Sequence, residues 1–197
     1  AGVREVMGRE GVRKLGWRLE EVAEEVDGEM ERMSRDPARM TLLHGDFKAS
    51  NMFFSDSPKG DEPHVSACDF QWVGRGIGAM DLVYLISTSL SFTALTSHES
   101  SLLDLYHSEL QKKLAENSLA HSREAFLKEC AVVTVDYARY LVSAMWDPRS
   151  TTRAGIEACA GDGNRGMHRR SVPHFIWMVE RAEECLTRWE RRARLCS

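Results

Sequence analysis

The sequence has little that would place the protein in a membrane or outside the cell. Its 197 residues contain no apolar run approaching the length of a transmembrane helix, and the N-terminal stretch lacks the apolar core of a signal peptide. The five cysteines are scattered and include no C-x-x-C pair, which argues against a disulfide framework and a zinc site. We therefore expect a reduced, cytoplasmic protein with no membrane partner.

The sequence also lacks an excess of positive charge. It has 26 Lys and Arg against 30 Asp and Glu, a formal net charge of -4. No global positive field therefore points to nucleic acid, and an anionic ligand must be held by a local arrangement of side chains. The length fits one domain, or one large lobe of a bigger protein.

Apolar residues recurring every three or four positions predict helices over most of the chain. The first predicted helix spans Leu15–Met33, has an acidic outer face, and ends near Asp36-Pro37. The helical period returns after Asp81. It predicts further helices that begin at a Thr96-x-x-Glu99 capping box, near Ser122 and after Ser171.

Between these helical regions lies a short centre with a different pattern. Short apolar runs at Met40–Leu43, Asn51–Phe54 and Val65–Cys68 predict strands, and the last two should form a hairpin. The glycines of "GRGIG", Gly74–Gly78, predict a tight backbone turn before the helix that starts at Asp81. The predicted fold is mainly α with a small β-hairpin centre, an α+β arrangement.

The polar residues of this centre follow the ends of predicted strands. Asp46, Lys48 and Asn51 lie in the loop "HGDFKASN" between two strands, and Asp69 follows the third strand. Two such loops would bring Asp46, Asn51 and Asp69 together. A carboxylate and an amide oxygen from neighbouring loops suit Mg²⁺, which completes its octahedron with water and substrate phosphates.

The remaining groups supply what phosphoryl transfer requires. Asp46, which is not needed as a metal ligand, could orient or deprotonate an attacking hydroxyl. Lys48 adds a positive charge that can meet the transferring phosphoryl group. The pattern therefore favours a metal-dependent phosphotransferase.

These motifs resemble those of a known fold. "HGDFKASN" resembles the H-x-D-x-x-x-x-N catalytic loop of the protein-kinase-like fold, and "CDFQ" resembles its metal-binding Asp-Phe-Gly element. His-Gly-Asp followed by "DFQWVGRGIGAMDLVYLI" is closer to the small-molecule branch: aminoglycoside phosphotransferases, choline kinases and ecdysteroid-kinase-like (CHK) proteins. No Ala-Pro-Glu element follows Asp69, which disfavours a protein substrate.

The resemblance implies a function and a role for each residue. It implies ATP and Mg²⁺ as cofactors and a small-molecule hydroxyl as acceptor, with Asp46 as catalytic base and Lys48 contacting the phosphates. Asn51 and Asp69 would hold the metal, and Asp81 would brace the catalytic loop. Apart from the resemblance, we expect His44 to be a buried histidine that hydrogen-bonds to loop backbone and not a base, because Asp46 fills that role. Residues 1–197 would form one C-terminal lobe, with catalytic loop 44–51, metal-binding loop 69–81 and helical subdomain 81–197.

The sequence departs from this family pattern at its N-terminal side. The fold needs an N-terminal lobe with a Gly-rich loop, a strand Lys and a helix Glu, and none of these is recognisable before Met40. We expect a fragment, or else a natural lobe-only protein, in which the N-terminal lobe is missing. Activity of this chain alone should be weak or absent.

Other interpretations compete with a phosphotransferase. A pseudokinase or lobe-only scaffold that binds a partner protein would explain the missing lobe, and a metal-dependent hydrolase could use His44, Asp46 and Asp69. The G-x-G-x-x-G match in "GDGNRG", Gly161–Gly166, follows no strand and predicts only an interhelical loop. Some residues of the later helices could line an acceptor pocket: Trp146, Asp147, His174 and Trp177. Aromatic residues at helical spacing, however, usually belong to a core.

Overall fold

The computed structural model describes residues 10–55, 64–147, 149 and 151–196 of the chain. Within these ranges the protein is mostly helical, with two small antiparallel sheets. The eight α-helices of the described residues are α1 (Glu10–Arg13), α2 (Leu15–Glu21), α3 (Ala23–Ser34), α4 (Ala79–Ser89), α5 (Phe92–Ala115), α6 (Arg123–Tyr140), α7 (Arg153–Ala158) and α8 (Val172–Cys196). The mainly α prediction is confirmed.

The strands lie between α3 and α4 and form two separate pairs. β1 (Met40–Leu43) pairs with β4 (Gly74–Ile77), and β2 (Met52–Ser55) pairs with β3 (His64–Ala67), both antiparallel. The β2–β3 pair is the predicted hairpin, and the segment joining its strands lies outside the described residues. A one-turn 3₁₀-helix, Ala49–Asn51, leads from the catalytic loop into β2.

The core is formed where the helices pack around α6. Met178, Ala182 and Leu186 of α8 are four residues apart and fully buried, so they form one face of that helix. This face packs against α6, which also contacts α3 and α4. Phe126 and Val132 of α6 are buried in the same cluster. Most apolar burial in the described residues therefore lies in the helical part.

The β1–β4 sheet is attached to this core. Ile77 of β4 is fully buried, and Leu43 of β1 is buried opposite Gly74. Just before β1, Arg39 donates a hydrogen bond of 3.0 Å to the buried carboxylate of Glu129 on α6. The strand that leads into the catalytic loop is therefore fixed to the helical part at both of its ends.

Two helix boundaries differ from the sequence prediction. The predicted helix Leu15–Met33 is divided at Val22, whose ψ of 4° interrupts the helical backbone between α2 and α3. No Gly or Pro marks this position, so the sequence carried no signal for the break. The capping box prediction at Thr96 is wrong, because α5 begins at Phe92, where the Ser91 hydroxyl accepts a hydrogen bond from Ala94 N. Ser122 caps α6 as predicted.

The prediction for "GRGIG" is also wrong. Gly74–Ile77 is strand β4 and not a tight turn, and α4 begins at Ala79 and not at Asp81. Gly76 lies opposite Thr41, where a Cβ would come within 2.5 Å of the Leu43 side chain. The glycine therefore leaves room for a buried leucine on the neighbouring strand.

Two further predictions concern loops and membrane spans. Gly161–Gly166 lies between α7 and a 3₁₀-helix, Met167–Arg169, as the interpretation of an interhelical loop requires. None of the helices formed by the described residues is long and apolar enough to span a bilayer.

Candidate active site

The catalytic loop begins where β1 ends and finishes where β2 begins. Leu43 is the last residue of β1 and Met52 the first of β2. Between them, Lys48 N donates to Asp46 O at 3.0 Å and Asn51 N donates to Lys48 O at 2.9 Å. These short-range backbone bonds fold the loop back on itself, so that side chains two and five residues apart face one another.

Asp46 is the centre of a polar cluster within this loop. Its Oδ2 lies 2.7 Å from Lys48 Nζ and accepts a hydrogen bond of 2.9 Å from Asn51 Nδ2. Burial alone raises the pKa of Asp46, but hydrogen bonds from Lys48, Tyr84 and Asn51 outweigh it and hold that pKa below its ordinary value. The carboxyl group is therefore ionised at neutral pH.

Asn51 joins the catalytic loop to the segment that carries Asp69. Its buried side chain donates through Nδ2 to both the backbone oxygen and the carboxylate of Asp46, each at 2.9 Å. Its backbone oxygen accepts a hydrogen bond of 2.9 Å from Cys68 N. With the amide nitrogen used in this way, Oδ1 has no hydrogen-bond partner among the described residues.

Asp69 lies between two residues that contact the catalytic loop. Cys68 is bonded to Asn51, and the ring of Phe70 lies 4.6 Å from that of His44. Asp69 itself has a φ of 63°, in the left-handed region that few residues other than glycine adopt. Its exposed carboxylate has no partner among the described residues. Asp69 therefore combines an uncommon backbone conformation with an exposed carboxylate.

His44 is engaged within the protein through both ring nitrogens. It is buried, its Nε2 lies 2.8 Å from Cys68 O, and its Nδ1 accepts a hydrogen bond from Asp46 N at 3.4 Å. Since Nδ1 accepts, the proton is on Nε2, which donates to Cys68. This arrangement gives His44 no free nitrogen to act as a base, and it supports a structural role.

Asp81 links the catalytic loop to the helical part. From the first turn of α4, its two carboxylate oxygens accept hydrogen bonds from His44 N at 2.7 Å and Gly45 N at 3.0 Å. Gly45 has a φ of 82°, and a Cβ there would overlap the carbonyl oxygen of Trp72. The backbone just before Asp46 is therefore held from one side by a carboxylate and from the other by Trp72.

The two side chains predicted to hold a metal, Asn51 and Asp69, fit a magnesium ion in their chemistry. Asn51 Oδ1 and the Asp69 carboxylate are hard oxygen ligands, and Mg²⁺ needs few of these because it retains water and substrate phosphate. Among the described residues, no group of three or more His, Cys, Asp or Glu side chains is placed to hold a metal ion. A two-metal hydrolase site built on His44, Asp46 and Asp69 is therefore unsupported.

Sequence reasoning missed several residues from the helices. The hydroxyl of Tyr84 on α4 hydrogen-bonds to Asp46, and Tyr84 also lines a cavity of about 300 Å³ together with Gly45, Asp136 and Tyr137. Tyr84 lies three residues after Asp81, a spacing that places both on one face of α4. That spacing was the available signal. Trp146, Asp147, His174 and Trp177, suggested from sequence as a pocket lining, do not line this cavity.

The sequence profile of the ecdysteroid kinase-like family matches residues 4–118, which include the catalytic loop, Asp69 and all of α4. The chain belongs to this family, and the resemblance read from the motifs is confirmed. Membership indicates a kinase-like phosphotransferase that acts on small molecules. Searches of curated proteins and of solved structures found no significant match.

Proposed function

We propose that the protein transfers the γ-phosphoryl group of ATP to a hydroxyl group of a small molecule, with Asp46 at the reacting centre. The acceptor oxygen forms a bond to the γ-phosphorus, the bond from that phosphorus to the bridging oxygen breaks, and ADP leaves. The hydroxyl proton passes to the Asp46 carboxylate. Family membership supports the reaction class, while the nucleotide, the metal and the residue roles are our proposal.

The observation that carries the proposal is the geometry around Asp46. One carboxylate oxygen is shared by Lys48 at 2.7 Å and Asn51 at 2.9 Å, and the backbone before it is held by Asp81. Such a network keeps a side chain in one position, which is what catalysis by orientation requires.

The electrostatics of Asp46 suggest how it would act. A carboxylate whose pKa is held low by its hydrogen bonds is a weak proton acceptor. Its larger contribution would be to accept a hydrogen bond from the acceptor hydroxyl and so aim one oxygen lone pair at the phosphorus. Lys48, already next to this carboxylate, would offset negative charge on the phosphoryl group in flight.

Asn51 and Asp69 are the residues that we propose to hold Mg²⁺. When bound there, the ion would neutralise negative charge on the phosphates. Asn51 would offer Oδ1, because its Nδ2 is used by Asp46. Asp69 would offer its exposed carboxylate, one residue after the Cys68 that is hydrogen-bonded to Asn51. The neighbouring bonds to Cys68 would fix the spacing of the two ligands.

Nucleotide affinity should be low in this chain. The described residues before β1 are the helices α1–α3, and they contain no Gly-rich loop and no strand lysine. These are the parts that hold the phosphates in the kinase-like fold. We therefore propose a C-terminal lobe that needs a second lobe for tight binding.

The location of the protein in the cytoplasm stays a prediction. The four cysteines of the described residues are free thiols, which is consistent with a reducing compartment.

A phosphoryl-transfer assay tests the proposal. A chain that includes a strand-rich lobe is incubated with radiolabelled ATP, Mg²⁺ and a panel of small alcohols, and phosphate esters are quantified. We expect transfer that EDTA abolishes, and we expect Asp46→Asn to slow it by about 10²- to 10⁴-fold, the usual contribution of a positioned acid–base group. The control is Asp104→Asn, an exposed carboxylate that pairs with Arg123. Equal rates for Asp46→Asn and the parent would remove Asp46 from its role.

One observation favours a second candidate, a non-catalytic scaffold. Large apolar side chains of the strand-rich centre are exposed, including Phe53, Phe54 and Trp72, and such patches often bind another protein surface. Calorimetry with Mg-ATP separates the two candidates. Weak binding that Asp69→Ala eliminates supports the enzyme, whereas no binding, even in a chain that includes a strand-rich lobe, supports the scaffold.

A further inference from the structure

One helix, α4, contacts the catalytic loop at its beginning, its middle and its end. Asp81, in the first turn of α4, accepts hydrogen bonds from the backbone before Asp46, and the hydroxyl of Tyr84 hydrogen-bonds to the Asp46 carboxylate. Ser89, the last residue of α4, accepts a hydrogen bond of 2.8 Å from Ala49 N through its Oγ. The first two contacts hold the part of the loop around Asp46. The third holds a different part of the loop.

Ala49 is the first residue of the 3₁₀-helix that carries Asn51. The N–H groups in the first turn of a helix have no partner within that helix, and a side-chain acceptor commonly supplies one. Lys48, which precedes this helix, makes no such bond, and a lysine side chain has no acceptor atom. The hydroxyl of Ser89 therefore takes the place of the cap, from a position 40 residues further along the chain.

The hydroxyl of Ser89 is oriented by its neighbour, Thr88. Thr88 is buried, and its Oγ1 donates a hydrogen bond of 2.7 Å to Tyr84 O within the helix. The same Oγ1 lies 3.1 Å from Ser89 Oγ. Because a hydroxyl has one proton and that of Thr88 is already used, Ser89 is the donor in this second contact. A lone pair of Ser89 Oγ is then available to accept from Ala49 N.

A fixed position of Ala49 also fixes Asn51, since both belong to one helical turn of three residues. Asn51 N donates to Lys48 O at 2.9 Å and closes that turn. The buried side chain of Asn51 is bonded to Asp46 through Nδ2, so a shift of the turn would displace the Oδ1 that we propose as a metal ligand. Metal ligands are commonly oriented by groups that do not themselves touch the metal.

The surroundings of Ala49 indicate what the Ser89 hydroxyl supplies. Ala49 is exposed, so water can replace the hydroxyl as hydrogen-bond acceptor when Ser89 is substituted. The loss of this one bond should therefore change the stability of the protein little. A water molecule is not attached to α4, however, and it would not hold the 3₁₀-helix at a set distance from that helix. The hydroxyl thus contributes position more than stability.

We propose that Ser89 is a positioning residue of the candidate active site, which holds the 3₁₀-helix in place so that Asn51 Oδ1 stays available to Mg²⁺. This inference rests on the proposed phosphotransferase function. In this assignment Ser89 touches neither the substrate nor the metal. It acts through the backbone of Ala49 and Asn51, and it sets the affinity of the site for Mg²⁺.

Amide hydrogen exchange tests the contact in the absence of nucleotide and metal. Exchange of Ala49 N–H is followed by NMR in the parent chain and in Ser89→Ala. We expect exchange at least about fivefold faster in the variant, the effect of losing one ordinary hydrogen bond, and faster exchange at Asn51 as well. Ser89→Thr keeps the hydroxyl and should resemble the parent. The control is Ser101→Ala, because the Ser101 hydroxyl donates to His98 O within α5.

Either of two results of this measurement overturns the inference. Unchanged exchange at Ala49 in Ser89→Ala would show that the hydroxyl does not hold the 3₁₀-helix. Equally fast exchange in Ser89→Ala and Ser89→Thr would show that the hydroxyl is not the group responsible. Circular dichroism checks that each variant is folded.

The magnesium dependence of phosphoryl transfer tests the consequence, in a chain that includes a strand-rich lobe. The Mg²⁺ concentration that gives the half-maximal rate should rise about tenfold in Ser89→Ala, as expected when a group that orients a metal ligand is removed. The KM for the alcohol should stay unchanged, because Ser89 does not line the cavity next to Asp46. Ser89→Thr should restore the magnesium dependence of the parent, and Ser101→Ala should not alter it.

The two measurements separate this inference from the proposed function. If the parent transfers phosphate to no alcohol, the phosphotransferase is contradicted, while the exchange measurement still decides whether Ser89 holds the 3₁₀-helix. If the parent is active and Ser89→Ala has the same magnesium dependence, the positioning role is contradicted and the phosphotransferase is unaffected.

Discussion

The helical part buries its large apolar side chains, whereas the strand-rich centre leaves several of its own exposed. On α8, Met178 and Leu186 are fully buried, whereas in the centre Phe53, Phe54 and Trp72 are 67%, 64% and 68% exposed. The helical part is therefore stabilised by its own core. The centre is held in place by backbone pairing and by polar contacts such as Asp81 with the catalytic loop. The residues that form the core and the residues of the candidate site therefore lie in different parts of one chain.

The largest change should come from the helical core. Leu186→Ala removes a fully buried side chain from the face that packs on α6, and the free energy of unfolding should fall by about 2–5 kcal/mol. Urea denaturation followed by circular dichroism measures it. A loss below about 1 kcal/mol would show that this face is not part of the cooperative core.

Acid should weaken the helical part before it reaches the carboxylates of the site. Burial lowers the pKa of His168 to about 3 and that of His174 to about 4, from 6.5. Both histidines are neutral in the folded state, so the free energy of unfolding is highest above pH ~6.5. It decreases as the pH falls below this value, because the histidines are protonated in the unfolded state and stay neutral in the folded state. The loss should reach about 2–4 kcal/mol by pH ~5.

Urea denaturation across this pH range tests the prediction. His168→Gln should remove roughly half of the pH dependence, because one of the two buried histidines no longer titrates. A stability that is flat between pH ~7 and ~5 would contradict the assignment of both groups as buried and neutral.

A smaller stability change, with a larger effect on the site, is expected at Gly45. Gly45→Ala forces a side chain into left-handed backbone and against the Trp72 carbonyl, and should cost about 1–2 kcal/mol. Phosphoryl transfer should fall further than stability does, since the strain lies next to Asp46. Gly28→Ala is a matched control, because a Cβ there meets nothing within 4 Å. Equal effects of the two substitutions would show that the loop tolerates movement.

The smallest effect should come from the exposed face of the centre. Phe54→Ser changes a side chain of β2 that has little apolar contact, so the free energy of unfolding should change by no more than about 0.5 kcal/mol. Thermal and urea unfolding of the variant measure it. A loss above about 1 kcal/mol would mean that Phe54 is covered in solution, and the contrast between the two regions would then fail.

How much of the fold could be predicted depended on how local its signals are. The helices around Phe126 and Met178 show the helical period in a single stretch of sequence, and β2 and β3 are neighbours along the chain. Strand β4 was missed because Gly74–Ile77 has no strand-like composition and forms only by pairing with β1, more than 30 residues earlier. The break at Val22 had no local marker either.

The same distinction applies to the candidate site. His44, Asp46, Lys48 and Asn51 lie in one short loop, so their types and spacing could be read together, and their roles stay predictions that the geometry supports. Tyr84, Asp136 and Tyr137 come from two helices that only the packing of the helical part brings beside the loop. Which residues line a cavity between helices cannot be read from periodicity alone, because both helices present several faces.

The position of Asp81 has a mechanical consequence. Asp81 lies in the first turn of α4, and its carboxylate accepts hydrogen bonds from the two backbone N–H groups immediately before Asp46. Because these two hydrogen bonds join α4 to the loop, a displacement of the helix along its axis would displace the loop as well. At the other end of α4, Ser89 accepts a hydrogen bond from Ala49 N. A force that displaces this end of the helix would therefore change the orientation of Asp46.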